Sequence, residues 1–379
     1  MLLLATKLDL KVLQMKLKSF DGFDNLTQTQ QSLIKGCLAT TKEERELAVR
    51  NWEKQIVIDE IDFSSSRLIP YFFYGNQQHG IISIYDKRMK VIYKHWWLRS
   101  QHISHQLQKV HTTFIEAGIG TVVIKGASIK TYYERDELRP MADFDILIPR
   151  ADLKRALQLL KELDYITDKR IEAYLSISEK NILLDFNHAI TCVHSKNDCQ
   201  IDLHWRVGSR CSNQFSDNLW LNLENYELLP NAKRPQLAYE VFMIIIHAVD
   251  SRNKDNLNWI IDIAVINESR GGSFWQEARR IAVAEKKEDL FDYGCSILIK
   301  MGISAPDPGI VKKPKNLVAI LPEEGEQVNL IKMTYAKLNN LYGNVDRLFP
   351  HSNIVNKLYQ VVKFVYYYFA TRKIRSIKP

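Results

Sequence analysis

The stretch "VVIKGASIKTYYERDELRPMADFDILIPR", Val122 to Arg150, decides how the chain reads. A short β-branched run ends at Lys125-Gly126 and predicts a buried strand. A second run, "DFDILIP", is closed by Pro149 and carries Asp143 and Asp145. Side chains alternate faces along a strand, so these two carboxylates share one face. Like charges side by side cost free energy unless a cation lies between them. An exposed edge strand also carries aspartates, so the pair alone does not specify a metal.

Outward from this stretch, "ASIKTYYER" predicts one or two helical turns. "ADLKRALQLLKELDY" is amphipathic, with Leu153, Ala156, Leu157 and Leu160 on one helical face. "NILLDFNHAITCVH", then "SKND", then "CQIDLHWRV" reads as a hairpin with a four-residue turn. Strand, helix, strand, helix and hairpin make an α/β unit of about 100 residues. Upstream the spacing is helical. Thr41 is an N-cap with Glu44 three residues on, Pro70 and Gly75 break the pattern, and a later helix stops at Gly118. Helical spacing returns after Pro235, and "SAPDPGIVKKPK" follows as a Pro-rich linker. Helical regions therefore flank this unit on its N-terminal and C-terminal sides. The expected divisions are 1–110, 111–210, 211–302 and 303–379.

The 379 residues are too many for one small core, which agrees with several divisions. Five scattered cysteines, none spaced as CxxC, argue against a disulfide framework and a structural zinc site and fit a reducing cytoplasm. The N-terminus lacks the long apolar run of a signal peptide. No uninterrupted apolar segment reaches the roughly 18 residues of a membrane-spanning helix. Net charge is +8, and residues 351–379 hold six basic and no acidic residues. In that tail Leu358, Val361, Val362, Val365 and Phe369 share a helical face. A membrane surface or an RNA backbone is one use of such a helix. Docking on the body, with a solvated basic end, is the favoured reading.

Asp202 stands between Ile201 and Leu203, so Asp202 and His204 share the face opposite those apolar neighbours. Beside the Asp143 strand, this strand would bring three carboxylates together. Such a cluster suits a hard divalent cation, Mg2+ first and Mn2+ as the alternative, and two ions can clamp a nucleoside triphosphate. Gly126 permits close backbone approach to phosphate oxygens, and Ser128 offers a hydroxyl. Lys125 and Arg139 add cations that offset phosphate charge, whereas Lys130 is expected to face solvent. The hairpin carries His188 toward the same place, and His188 and His204 are candidate substrate or phosphate contacts. Asp185 competes with Asp202 as the third acid, and Trp205 is read as core. No serine-histidine-acid, cysteine-histidine or HExxH arrangement stands out.

Taken together, "IKGASIKTYYERDELRPMADFDILIPRADLKRALQLLKELDY" and "IDLHWRV" resemble the uncharacterised nucleotidyltransferase family of the polymerase-β-like superfamily. Gly126, Ser128, Asp143, Asp145 and Asp202 follow the superfamily order. Lys125-Gly126, Arg139-Pro140-Met141 and Asp202-Leu203-His204-Trp205 match the family's own signature. Ala127 departs from the wider superfamily, in which Gly and Ser usually adjoin, by separating Gly126 from Ser128. The resemblance spans about residues 30–300. It implies an α+β fold, with a nucleotidyltransferase-fold mixed β-sheet core flanked by N-terminal and C-terminal helical regions, and transfer of a nucleoside monophosphate from a nucleoside triphosphate, ATP being expected, with release of pyrophosphate. Asp143, Asp145 and Asp202 would be catalytic and hold two Mg2+ ions. Lys125, Gly126, Ser128 and Arg139 would bind the nucleotide. The acceptor, a hydroxyl or phosphate on a peptide, sugar, metabolite, protein or RNA, stays open. Two alternatives stand beside this: a non-catalytic nucleotide- or partner-binding protein on the same fold, and a tRNA-modifying or toxin-like transferase.

Overall fold

A computed structural model describes residues 26–167, 187–208, 211–250 and 257–309, with Tyr359 and Val362. The expectations for Asp185 and for the C-terminal helix fall outside the described residues. In chain order the elements begin with α1 (Gln28–Leu38), α2 (Lys42–Glu53), α3 (Phe63–Ser66), α4 (Ile69–Gln78) and α5 (Asp86–Glu116). There follow β1 (Val122–Ile124), α6 (Lys125–Ile129), β2 (Asp143–Leu147), α7 (Leu153–Glu162), β3 (Tyr165–Ile166), β4 (Ala189–His194) and β5 (Gln200–His204). The rest are α8 (Asn213–Leu221), β6 (Leu223–Asn225), β7 (Lys233–Pro235), α9 (Leu237–Asp250), α10 (Asn258–Arg270), α11 (Trp275–Ala284) and α12 (Glu288–Lys300). By contacts the chain divides into two units. One is Met1–Ile92 with Val241–Val328, and the other is Tyr93–Glu240 with Asn329–Pro379.

The first unit is helical among its described residues. Thr27 caps α1 in a reciprocal box with Gln30, and the Thr41 hydroxyl accepts from the Glu44 N–H at the start of α2. Pro70 and Gly75 do not break the helix as their sequence positions suggest, because α4 runs through both. Pro70 sits in the first turn, where its missing N–H has no intrahelical partner to lose. Gly75 leaves room for a guanidinium, since a Cβ there would collide with Arg45. The two chain segments of this unit meet where the Leu257 N–H donates to Ser64 Oγ at 3.1 Å.

The second unit holds a seven-stranded mixed sheet in the order β3-β4-β5-β2-β1-β7-β6. β2 runs parallel to β5 and antiparallel to β1, and β4 and β5 form the expected hairpin. One sheet face is apolar. Val123, Phe144, Ile146, Ile201 and Leu203 join Ile103, Leu107, Val110 and Phe114 of α5 and Leu153, Ala156 and Leu160 of α7 in one buried cluster. Gly118, in the left-handed region at φ +74°, ends α5 as expected, and the Ile119 N–H reaches back to the Phe114 carbonyl at 2.8 Å. Alternation then leaves Asp143, Asp145, Asp202 and His204 on the other face. No described helix is long and apolar enough to cross a membrane. All five cysteines are buried, and none is in a disulfide.

Because α7 is seated through Leu160, whose side chain is fully enclosed in this cluster, Leu160→Ala is expected to lower the unfolding free energy by about 2–5 kcal/mol in urea denaturation. A loss within experimental error would mean that α7 is not part of the core supporting the sheet.

Candidate active site

The parallel pairing of β2 with β5 sets Asp145 directly opposite Asp202 and Leu147 opposite His204. One ligand atom each from Asp145, Asp202 and His204 lies within 4.8 Å of the others. Asp143 shares their face, opposite Gln200, but does not join this group of three. His204, expected as a substrate contact, is therefore brought into the acidic cluster itself. Asp202 is further fixed by Thr191 Oγ1, which donates to Asp202 Oδ1 at 2.6 Å across the hairpin.

A cation lies against the cluster. Lys125 Nζ donates to Asp145 Oδ1 at 2.6 Å and stands 3.4 Å from His204 Nε2. Its backbone is in the left-handed region at φ +56°, which costs a non-glycine residue about 1–2 kcal/mol. Burial disfavours the Lys125 ammonium, but the charges of Asp145, Asp202 and Asp143 outweigh burial and raise its pKa. Burial likewise opposes ionisation of Asp145, and Lys125 and His204 more than reverse it, so Asp145 is held well below the usual carboxylate range.

His204 Nδ1 faces the Arg206 carbonyl oxygen at 3.2 Å, and Nε2 lies 2.8 Å from Asp145 Oδ1. With the proton on Nδ1, that nitrogen donates to the carbonyl and Nε2 presents the lone pair that a bound cation requires; with the proton on Nε2, the ring donates to Asp145 instead. The donor set passes the chemical test for a divalent ion. Carboxylates suit Mg2+ and Mn2+, and an imidazole with its other nitrogen hydrogen-bonded is an oriented ligand.

The flanking residues fall into two groups. Arg139 is buried, donates to the Pro140 carbonyl at 2.9 Å and lies against Gly126, where a Cβ would rest 3.4 Å from its guanidinium nitrogens. Gly126 thus has neither a positive φ nor a steric conflict that demands glycine. The His188 ring centroid is 5.5 Å from that of His204. Burial, with His204, Lys125 and Arg206 nearby, lowers its pKa to about 3 and leaves it a neutral imidazole. Ser128 is placed differently from expectation: fully buried, its hydroxyl donates to Glu240 Oε1. Lys130 does not face solvent. Its side chain is 2% exposed and donates to Ser104 Oγ at 3.0 Å, with Asp136 3.7 Å away. Trp205 is in the core, as read.

Sequence reasoning missed Thr191, Glu240 and Arg234. Thr191 was within reach, because a four-residue "SKND" turn fixes the hairpin register that pairs it with Asp202. Glu240 carried no such signal. It accepts from Tyr132 at 3.0 Å as well as from Ser128, and burial pushes its pKa up to about 7. Arg234 lies over the Tyr132 ring at 4.8 Å and donates to Thr131 Oγ1, while Tyr226 donates to the Ala127 carbonyl at 2.8 Å. These contacts fasten α6 and the turn after it.

A family model described as "Uncharacterised nucleotidyltransferase" matches residues 63–299, more than half of the chain. No curated protein matches.

His188 provides a pH test. Its folded pKa lies below the ordinary 6.5, so the unfolded chain binds the extra proton first on acidification. Its contribution is complete above about pH 6.5 and lost as pH falls toward the folded value. The urea midpoint of the wild type is expected to drop more steeply between about pH 6.5 and about pH 4 than that of His188→Gln. Parallel curves would contradict a neutral, partly buried His188.

Proposed function

The chain belongs to the uncharacterised nucleotidyltransferase family, and on that premise we propose that it transfers a nucleoside monophosphate from a nucleoside triphosphate, ATP first among them, to an acceptor hydroxyl or phosphate. The observation that carries this reading is the cross-strand placement of Asp145 against Asp202, with His204 completing a cluster of ligand atoms within 4.8 Å. An apolar or neutral sheet face would give no support for metal-dependent transfer.

In this proposal Asp145 and Asp202, with His204, would hold a divalent ion, Mg2+ or alternatively Mn2+, and Asp143 on the same face would serve a second. Such ions, when bound, neutralise triphosphate charge and polarise its phosphoryl oxygens. The rest is done by the chain. Lys125 and Arg139 offset negative charge that develops on the leaving pyrophosphate. Gly126 leaves the start of α6 open to close approach by phosphate oxygens. Ser128 supports α6 through Glu240, and its hydroxyl reaches a phosphate only by leaving that carboxylate. Asp202, held by Thr191 and partly exposed, is suited to take the acceptor's proton as general base. The acceptor oxygen then bonds to the α-phosphorus, the bond from that phosphorus to the bridging oxygen breaks, and pyrophosphate departs with the electron pair. His188, neutral near pH 7, can hydrogen-bond a substrate but adds no charge.

The test is incubation with α-labelled nucleoside triphosphates, Mg2+ or Mn2+ and a panel of acceptors, followed by mass analysis and pyrophosphate release. Asp145→Asn and Asp143→Ala are each expected to lower transfer by about 10³-fold or more, the loss of several kcal/mol of charge stabilisation, with circular dichroism unchanged. Chelation with EDTA should give the same loss, reversed by added metal. Tight nucleotide binding with no pyrophosphate released, across the whole acceptor panel, would favour the binding-protein alternative. Full activity of either aspartate variant would sink the assignment.

A further inference from the structure

The Lys125 ammonium contacts two atoms that a divalent ion held by Asp145 and His204 would use. Nζ is 2.6 Å from Asp145 Oδ1 and 3.4 Å from His204 Nε2. An ion on the same carboxylate oxygen and the same imidazole nitrogen would compete with the ammonium for this space, and two cations so close repel strongly in a partly buried site. We infer that Lys125 is a resident counter-cation, that metal and Lys125 exclude one another at Asp145, and that loading the metal releases Lys125 toward the substrate's phosphates.

Two independent features support this. First, the backbone of Lys125 is held at φ +56°, an unfavourable region for lysine, and this strained residue joins β1 directly to α6. Second, the side chain is not sealed in. It remains 31% exposed, whereas Asp145 is 9% exposed, so the amine has somewhere to go. The four-carbon stem allows a swing without movement of the backbone. Without the metal, Lys125 neutralises the repulsion between cross-strand carboxylates. With it, that task passes to the ion, and the freed amine can pair with a phosphate. Metal alone must displace an ion pair, whereas metal arriving with a polyanion offers Lys125 a replacement partner. Bare metal therefore binds weakly, and metal and nucleotide bind with positive coupling.

This inference rests on the metal-site reading, and the experiment separates the two. Mn2+ binding to the full-length chain without nucleotide is measured by calorimetry or by the resonance of free Mn2+, for the wild type, Lys125→Met and Asp145→Asn. Lys125→Met is expected to bind Mn2+ more tightly than the wild type by about tenfold or more, within the usual range of coupling between sites. Asp145→Asn should bind poorly. Equal or weaker binding by a folded Lys125→Met would overturn the inference while leaving the metal site standing. Failure of both wild type and Lys125→Met to bind Mn2+ would remove the metal reading and the inference with it. Should Lys125→Met not fold, crystals of the wild type grown with Mn2+ decide the matter. The expected result is an ion on Asp145 with Lys125 out of hydrogen-bond reach, and an ion there with the Lys125–Asp145 contact intact would refute it.

Discussion

Two carboxylates face each other across a parallel strand pair, and the neighbouring structure follows from the need to hold them there. Asp145 and Asp202 are registered opposite one another on β2 and β5. Like charges so placed destabilise a sheet. Lys125 answers that cost from the end of β1, the other neighbour of β2, and does so at an unfavourable backbone angle. His204 contributes a nitrogen whose direction is set by the Arg206 carbonyl. The result is a charged cluster on strands, which hold side chains more rigidly than loops do.

Support comes from both sides of this cluster. Behind the sheet, α5 and α7 bury the alternate residues of β2 and β5, so the apolar set of each strand fixes which face its acids occupy. Around α6, Glu240 receives the Ser128 and Tyr132 hydroxyls, while Tyr226 caps the Ala127 carbonyl. A short helix cannot hold itself in water. These tethers do it instead, and they explain why Ser128 points into the protein.

Much of this was legible from residue order. Alternation alone put Asp143 with Asp145 and Asp202 with His204, and the "SKND" turn set the register that brings Thr191 to Asp202. The amphipathic spacing of Leu153, Ala156 and Leu160 gave α7 and its buried face. The failures have a common cause, which is contact between residues distant in sequence. Gly75 looks like a helix breaker until Arg45 is seen filling its space. Lys130 looks like a surface lysine until Ser104 and Asp136 are found beside it. Asp143 stands on the foreseen face, two residues before Asp145 and opposite Gln200, while the group within 4.8 Å is Asp145, Asp202 and His204.

The parallel pairing has a kinetic side. A hairpin closes locally, and β4 with β5 needs only a short turn to meet. β2 and β5 meet across a long intervening chain, and such non-local pairings form slowly because loop closure must precede the contacts that reward it. Asp145 and Asp202 are therefore expected to come together late in folding. On the proposed reading, a half-folded chain carries every one of these acids without the strand pairing that would gather them around a cation.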